Sequence, residues 1–271
     1  MKNLLLAAAL LAATPALAQT KKPATTKKTT KTTTVKKTTT PAKKTTTATT
    51  KTTAAAAPAA TPAPAPAPLT QDQAATGLRE ALTTGVTKAV QFASETDGFN
   101  LNDDIRIGFP PDAQLVATTL GALPGGKFAI EQVTNLLNRA AEAAAPQAKT
   151  IFLDAVKNLT LTDAVALATS SQKDAATQLL RKNSETALTA ALRPSIVQSL
   201  DQVGAEAAYK KLIDRYNKIP LMTPAKTDLT DYVTAQTVDG LFILLAQQEA
   251  KIRQNPAAQT TAILQQVFGR K

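Results

Sequence analysis

The side chains available for chemistry are hydroxyls, lysines, tyrosines and carboxylates, because the 271-residue sequence contains no histidine, no cysteine and no tryptophan. Without histidine and cysteine the chain has no thiolate nucleophile, no imidazole base and none of the usual zinc or haem ligands. We therefore expect no cofactor and no metal site, and we assign no catalytic residue. The absence of cysteine also excludes a disulfide and a lipid-modified N-terminal cysteine.

Two pairs of opposite charge lie at helical spacing. Arg139 and Glu142 are three residues apart, and Glu249 and Arg253 are four apart, so each pair can meet on one face of a helix. Asp239 lies beside an apolar run. One interpretation is structural, in which the pairs fix the register of packed helices and contribute little to stability where they are exposed. The other is a polar pocket, built from all five residues, that binds a small polar or anionic ligand.

The surroundings of the two pairs predict that they meet. The segments NRAAEAAAP and EAKIRQNPAAQTT both combine paired charges with small alanines, which let helices approach closely. We expect at least one of Glu249 and Arg253 to be partly buried against a neighbouring helix. We also expect Arg139 or Glu142 to lie close to them in one charged cluster.

A short sequence motif offers a different kind of chemistry. Ser170 and Lys173 form an S-x-x-K sequence, which is the nucleophile motif of penicillin-binding enzymes. Those enzymes also carry S-D-N and K-T-G motifs, and the chain has neither, since Lys226-Thr227-Asp228 does not match. An isolated four-residue motif arises by chance. We therefore assign no catalytic role to this serine.

The elements that position these side chains are predicted to be helices. Apolar residues recur at intervals of three and four through most of 69–271, as expected of amphipathic helices. The run LFILLA at 241–246 is apolar all round and predicts a central, buried helix. The four clearest stripes are Leu78, Leu82, Val86, Ala89 and Ala93; Ile130, Val133, Leu137, Ala140 and Ala144; Ala148, Ile151, Phe152, Ala155, Val156 and Leu159; and Ala205, Ala208, Tyr209, Leu212, Ile213, Tyr216 and Ile219.

Prolines and capping residues predict where these helices begin and end. Pro146 predicts a break or a kink, and Pro194 is expected to interrupt or follow a helix. Asp174 and Asp228 are expected N-caps. Asn255, which precedes a proline, is expected to end one helix and cap the next.

One segment of the domain departs from the helical pattern. Residues 97–111 carry turn formers and the sequence IRIGF, which predicts a loop with at most one short strand. Together with the stripes and the capping signals, this predicts an all-α fold, a single helical-bundle domain of about eight to ten helices.

The first 68 residues differ in composition from the rest. Residues 1–18 carry a lysine at position 2, continue with an apolar stretch and end in ALA, which predicts a secretory signal peptide cleaved after Ala18. Residues 19–68 are dominated by lysine, threonine, alanine and proline, a composition that predicts a disordered tether. We therefore expect an exported protein, periplasmic or secreted, whose folded all-helical domain is 69–271. No later segment is apolar and long enough to predict a transmembrane helix.

The basic charge of the chain belongs to the predicted tether. The 31 basic residues include Lys2 and ten lysines between 21 and 51, so 69–271 holds 20 basic and 20 acidic residues and is neutral. The tether is either a spacer or an electrostatic link to an envelope polyanion such as anionic lipid, lipopolysaccharide or a cell-wall polymer. Because an exported chain does not meet the genome, we do not expect nucleic acid as a partner. The lysines assigned to polyanion binding are Lys21, Lys22, Lys27, Lys28, Lys36, Lys37, Lys43 and Lys44.

Seven segments of the sequence occur together in one bacterial family. They are LREALTTGV, DGF, IRIGFP, NRAAEAAAP, DAATQLLR, YVTAQTVDGLF and EAKIRQNPAAQTTAILQQVFG, in this order between about 75 and 269. The chain therefore resembles domain-of-unknown-function family 4197. The resemblance implies a helical bacterial domain that usually follows a signal sequence. The family has no assigned activity, so the resemblance implies no catalytic residue, and the tether is not part of it.

These observations support two hypotheses about function. The first is a non-enzymatic exported domain that binds a protein partner or a small ligand and is held on the basic tether. The alternative is a hydrolase-like envelope enzyme that uses carboxylates between its helices. An enzyme of this kind requires a concave site in which carboxylates converge, whereas a binding domain requires a groove or an apolar patch.

Overall fold

A computed structural model describes residues 67–225 and 228–269. These residues form eight α-helices, two short 3-10 turns at Pro111–Ala113 and Pro256–Ala258, and no strand. The prediction of an all-α fold, with one helical domain of eight to ten helices, is confirmed. The helices are α1 Gln71–Ser94, α2 Gln114–Gly121, α3 Gly126–Lys157, α4 Ala164–Thr169, α5 Ala175–Gln202, α6 Ala205–Asn217, α7 Thr230–Gln254 and α8 Ala262–Phe268.

Four long helices form the centre of the domain. Helix α1 packs against α3 and α7, and α5 packs against the same two helices, so each long helix has two long neighbours. Helices α2 and α6 pack on α3, while α4 and α8 pack on α1. Leu241, Phe242, Leu244 and Leu245 are buried in α7, which confirms that the LFILLA run belongs to a buried central helix.

The start of the domain follows from a local signal. The Thr70 hydroxyl accepts a hydrogen bond from the Gln73 backbone N–H, and the Gln73 side chain accepts one from the Thr70 backbone N–H. This reciprocal capping box fixes the first turn of α1, because it pairs two amides that a helix leaves without internal acceptors. The predicted stripe that follows is buried from Leu78 to Ala93.

Two proline predictions are corrected by the structure. Pro146 lies inside α3 and Pro194 lies inside α5, so neither ends a helix. A proline removes one internal hydrogen bond, but most helix stability in proteins comes from tertiary packing of the buried face. In α3 that face is buried on both sides of the proline, from Val133 to Ala145 and from Ala148 to Val156.

The capping predictions have mixed outcomes. Asn255 caps the turn at 256–258 as expected, accepting a hydrogen bond from the Ala257 amide. Asp174 occupies the N-cap position of α5 but makes no capping hydrogen bond. Helix α7 begins at Thr230 after Leu229, so Asp228 is not its N-cap, although its carboxylate accepts the Thr230 amide.

The segment between α1 and α2 packs in an extended form without becoming a strand. Its Ile107 backbone is paired by the side chain of Asn138 on α3, through an amide N–H to Oδ1 bond and an Nδ2 to carbonyl bond, each 2.8 Å long. The loop also presses on α7, where a Cβ placed on Gly240 would lie 2.8 Å from the Phe99 ring. The predicted loop is therefore present without the short strand that it could have contained, since a side-chain amide supplies the pairing that a second strand would supply.

Several predictions concern the N-terminal segment. The signal peptide at 1–18, the tether up to residue 66 and the eight lysines assigned to polyanion binding lie outside the described residues. Within the described ranges, no helix is both long and apolar enough to cross a membrane.

Candidate functional site

The pair Glu249–Arg253 on α7 is sealed inside the domain. The glutamate is fully buried and the arginine side chain is 8% exposed. The Glu249 carboxylate accepts hydrogen bonds from the backbone amides of Ala176 and Thr177 and from the Thr177 hydroxyl, at 2.6–3.0 Å. Arg253 donates to the same carboxylate at 2.7 and 2.9 Å. The expectation that at least one of the two side chains is partly buried against a neighbouring helix is confirmed, and both are in fact buried.

The same pair connects two helix ends of opposite polarity. The carboxylate lies at the N-terminus of α5, where it replaces the missing Asp174 cap. The Arg253 guanidinium donates to the carbonyls of Leu167 and Ala168 in the last turn of α4, at 3.1 Å each, and lies 5.1 Å from the ring centre of Phe268. Negative charge at an N-terminus and positive charge at a C-terminus both match the helix dipole. The pair therefore holds the α4–α5 corner together.

The Arg139–Glu142 pair on α3 holds a different connection and is less buried. Glu142 Oε1 accepts the amides of Phe99 at 3.1 Å and Asn100 at 3.3 Å. Arg139 bridges Glu142 Oε2 at 2.9 Å and Asp97 Oδ1 at 3.2 Å, and its side chain is 40% exposed. Asp97 has a φ of +64°, a left-handed conformation that aspartate tolerates better than most residues.

Asp239 has a third set of partners. Its carboxylate accepts a hydrogen bond of 2.6 Å from Arg181 on α5, which also pairs with Glu185 at 2.8 Å. The hydrogen bond to Glu185, followed by that to Asp239, raises the pKa of Arg181. Arg181 also lies over the Phe242 ring, 5.4 Å from its centre. Asp239 therefore joins α5 to α7 on the surface.

The five predicted ligand-binding side chains do not converge. Among the described residues, their hydrogen bonds and ion pairs form three separate sets that share no partner: Arg139 with Glu142, Glu249 with Arg253, and Asp239 with Arg181. The expectation of one charged cluster is therefore wrong. The physical reason for the separation is that each buried carboxylate accepts hydrogen bonds from the backbone amides nearest to it.

A line of polar side chains along α3 was missed by the sequence analysis. Thr134, Asn138 and Glu142 follow each other at intervals of four residues, and all three are buried. Asn138 and Glu142 hold the 97–107 loop through its backbone. The signal was present in the sequence, because three polar residues at helical spacing beside an apolar stripe require partners when they are buried.

The S-x-x-K residues lie between α4 and α5. The Ser170 hydroxyl accepts a hydrogen bond from the Gln172 amide, as in a local turn. Ser170, Ser171 and Lys173 line a cleft of about 340 Å³ together with Arg253. Arg253 is committed there to Glu249 and to two carbonyls. The arrangement is that of a helix-connecting turn.

A larger groove lies between α2, the N-terminal half of α3 and the end of the 97–111 loop. Its volume is about 590 Å³. Phe109 supplies part of its apolar wall and contacts Tyr209 of α6, with ring centres 5.8 Å apart. Beside it, the Tyr232 hydroxyl donates to the Gly108 carbonyl at 3.1 Å. The lining residues are Arg106, Gly108, Phe109, Gln114, Ala117, Thr118, Gly121, Ala122, Lys127, Ile130, Glu131 and Thr134.

The tyrosines next to this groove are held in their neutral form. Burial raises the pKa of Tyr209, and the negative charge of Asp112 raises it further. Burial also raises the pKa of Tyr232. Neither tyrosine lines the groove itself, where the charged side chains are Arg106, Lys127 and Glu131.

The polar groups of the groove are less committed than those of the buried pairs. Arg106 donates through Nε to the Asn100 carbonyl. Within 67–225 and 228–269, the side chains of Gln114, Lys127 and Glu131 have no hydrogen-bond or ion-pair partner. The groove therefore has the features of a ligand site, since it combines an apolar wall with polar groups that the fold does not use. Metal binding is a separate question. Among the described residues, no group of three or more acidic side chains is placed to bind a metal ion.

Comparison with known proteins places the chain in a family. No curated protein and no solved structure matches it. A family model described as "Protein of unknown function (DUF4197)" matches residues 68–269, which include all eight described helices and both glutamate–arginine pairs. The resemblance seen in the sequence is thereby confirmed, and the chain belongs to the DUF4197 family.

Proposed function

We propose that the domain is a non-enzymatic binding module that takes a small polar ligand in the groove between α2 and α3. The observation that carries this proposal is the contrast between buried carboxylates that hold the fold and groove side chains that have no partner. The carboxylates of Glu142 and Glu249 accept several hydrogen bonds that hold the fold. The side chains of Gln114, Lys127 and Glu131 line an open groove and have no partner in the described part of the chain.

This contrast supports binding over the carboxylate-hydrolase alternative. A general acid or base must reach the substrate, and Glu249 is fully buried behind Arg253. Glu142 is 6% exposed and is covered by the amides of Phe99 and Asn100. Both acids would have to release backbone amides before they could exchange a proton with a ligand.

The groove residues favour a ligand with a net negative charge. Arg106 and Lys127 supply two positive charges against the one carboxylate of Glu131. Phe109 and Ile130 supply apolar contacts. The volume of about 590 Å³ is that of a pocket for a molecule of the size of a short peptide, because small-molecule pockets have volumes of about 300–1,000 Å³.

The groove can be tested with an anionic dipeptide, Ala-Glu, and its neutral counterpart, Ala-Gln. We expect Ala-Glu to shift the NMR amide resonances of Gly108 and Gly121, which line the groove, and Ala-Gln to shift them less. Lys127→Gln should weaken the Ala-Glu response about tenfold, as expected for the loss of one charged contact. Lys149→Gln, an exposed lysine on the same helix, is the matched control. No shift with either dipeptide, or equal weakening by both variants, would contradict the proposed site.

We further propose that the protein is exported and that its N-terminal lysines bind an envelope polyanion. The support is compositional: the net charge of +11 belongs to the N-terminal segment, whereas 69–271 is neutral. Replacing the eight lysines between Lys21 and Lys44 by glutamine should weaken binding to phosphatidylglycerol vesicles at low salt. Because exposed charges are screened over about 8–10 Å at physiological salt, binding should also weaken as salt rises. Unchanged binding by the glutamine variant would refute the assignment.

A further inference from the structure

Three large apolar side chains protrude at one end of the domain. Leu221 is fully exposed, Phe128 is 72% exposed and Leu123 is 40% exposed. Leu123 and Phe128 flank the turn between α2 and α3, and Leu221 lies in the loop between α6 and α7. We call these three residues the apolar tips.

The two connections that carry the apolar tips lie at the same end of the molecule. Arg215, in the last turn of α6, reaches the carbonyl of Pro124 at 3.5 Å. Leu221 follows Arg215 by six residues, in a loop that is closed on itself by a 3.0 Å hydrogen bond from the Ala225 amide to Asn217 Oδ1. Arg215 therefore joins the end of α6, which leads into the loop of Leu221, to the turn that bears Leu123.

Leu221 is exposed in a conformation that leucine rarely adopts. Its φ is +70°, in the left-handed region where the leucine Cβ crowds the backbone. Its neighbours Ile219, Met222 and Ala225 pack against the core, so the loop turns its other apolar residues inward. The fold thus keeps both a strained backbone and an exposed leucine at one position, and nothing within the described chain compensates for either.

Positive charge lies beside each of the apolar tips. Lys127 precedes Phe128, Lys218 precedes Leu221 by three residues, and Arg215 contacts the turn next to Leu123. All three cations are exposed. Among the acids at this end, Asp214 is paired with Lys210 at 3.0 Å, Asp228 accepts the Thr230 amide, and Glu131 lies in the groove.

We propose that this end of the domain docks on an anionic lipid surface. The apolar tips are convex and lie on two separate connections, so they suit the deformable boundary between headgroups and acyl chains better than they suit the groove of a protein. The adjacent lysines and arginine would then lie at the level of the negatively charged headgroups. This docking is separate from the binding of polyanions by the N-terminal lysines, because it requires insertion of the apolar tips.

The chain contains no tryptophan, so a single introduced tryptophan reports on one place only. We expect Phe128→Trp and Leu221→Trp, each in the full chain, to show blue-shifted emission when vesicles of phosphatidylethanolamine and phosphatidylglycerol are added. Phosphatidylcholine vesicles should cause little shift. The matched control is Leu101→Trp, at a position that is 77% exposed. Its loop is held by Glu142, which lies 14 residues beyond Phe128 on α3, or about 21 Å along the helix.

A second variant separates docking from folding. Leu221→Asn places a residue that tolerates the left-handed conformation at φ +70°, so the thermal midpoint should be unchanged or higher. Affinity for the anionic vesicles should nevertheless fall about tenfold, because one apolar side chain is no longer buried in the interface. A merely structural role for Leu221 would predict the opposite pattern, a lower thermal midpoint with unchanged vesicle affinity.

Three results would overturn the proposal. The first is co-flotation of the chain with anionic vesicles while the tryptophan emission of Phe128→Trp and Leu221→Trp stays fixed, which would mean binding through the N-terminal lysines alone. The second is an equal emission shift in the Leu101→Trp variant, and the third is no vesicle binding at all. If sedimentation instead shows a dimer that Leu221→Asn dissociates, the apolar tips contact a second copy of the chain, and the lipid proposal is also wrong.

Discussion

The two glutamate–arginine pairs have the same chemistry at different depths. In each, the glutamate accepts two backbone amides from a distant segment, and its arginine lies on the same helix. Glu249 and Arg253 have side-chain exposures of 0% and 8%, whereas Glu142 and Arg139 have exposures of 6% and 40%. Water can therefore replace Arg139 but has little access to Arg253.

This difference teaches that spacing identifies a pair but not its energetic role. A half-exposed arginine exchanges its ion pair for water at little cost. A buried arginine that is removed strands a carboxylate, and a buried carboxylate that is removed strands an arginine and two amides. The two pairs can be compared directly by measuring how much free energy of unfolding is lost when each is disrupted, one at the α4–α5 corner and the other at the 97–100 loop.

The largest effect is expected from Glu249→Ala. The change strands Arg253 and the amides of Ala176 and Thr177, so the free energy of unfolding should fall by about 3–5 kcal/mol. Glu185→Ala is the matched control, because Glu185 also pairs with an arginine four residues away but is 45% exposed; its loss should be below about 1 kcal/mol. Chemical denaturation measures the free energy of unfolding of both variants. Equal losses would show that burial does not determine how much such a pair contributes to stability.

A smaller and more local effect is expected from Glu142→Ala. The change leaves the amides of Phe99 and Asn100 without their buried acceptor, which should lower the free energy of unfolding by about 1–3 kcal/mol. Amide hydrogen exchange should accelerate between 97 and 107 before it accelerates in α5, because this loop can open without the helices separating. Uniform acceleration throughout the domain would show that the loop and the helices open as one unit.

The two arginines provide the sharpest direct comparison. Arg139→Ala should lower the free energy of unfolding by less than about 1 kcal/mol, because its side chain is 40% exposed and its charge is screened. Arg253→Ala should lower it by about 3 kcal/mol or more, because the buried Glu249 carboxylate then loses its ion-pair partner. Thermal or urea unfolding of the two variants, measured side by side, would refute the comparison if Arg139→Ala proved the more harmful.

The smallest expected effect concerns Asp174, the partly buried acid next to the buried cap. The hydrogen bond from Gln178 is the main factor that lowers its pKa below 3.8, and the charge of Arg253 makes a minor contribution in the same direction. A lowered pKa means that the stabilisation is present above pH 3.8 and is lost as the pH falls through the folded-state pKa. Gln178→Ala should raise the pKa of Asp174 in an NMR titration. An unchanged value would assign the shift to another contact.

Helical periodicity predicted the fold correctly because it depends on nearest neighbours along one helix. The stripe from Leu78 to Ala93 and the buried LFILLA run follow directly from spacing. Of the break or kink predicted at Pro146, the break does not occur, because the helix is held by contacts with other helices, which no local signal contains.

The site was harder to predict because its contacts join distant segments. Partial burial was correctly expected for at least one of Glu249 and Arg253, but the partners Ala176 and Thr177 are set by which helix packs beside α7. Spacing brought Arg139 and Glu142 together and could not show that their neighbour is Asp97. The groove was not predicted at all, since it depends on how the α2–α3 turn and the 97–111 loop meet.

The cap that Glu249 provides also determines the order in which the domain can fold. The amides of Ala176 and Thr177 precede their acceptor by 73 and 72 residues. During synthesis, the start of α5 therefore has no cap until nearly the whole domain has been made. Contacts of such long sequence separation slow folding, because the chain loses entropy before it gains the contact. We therefore expect α5 to gain its N-terminal cap only when the end of α7 packs beside it.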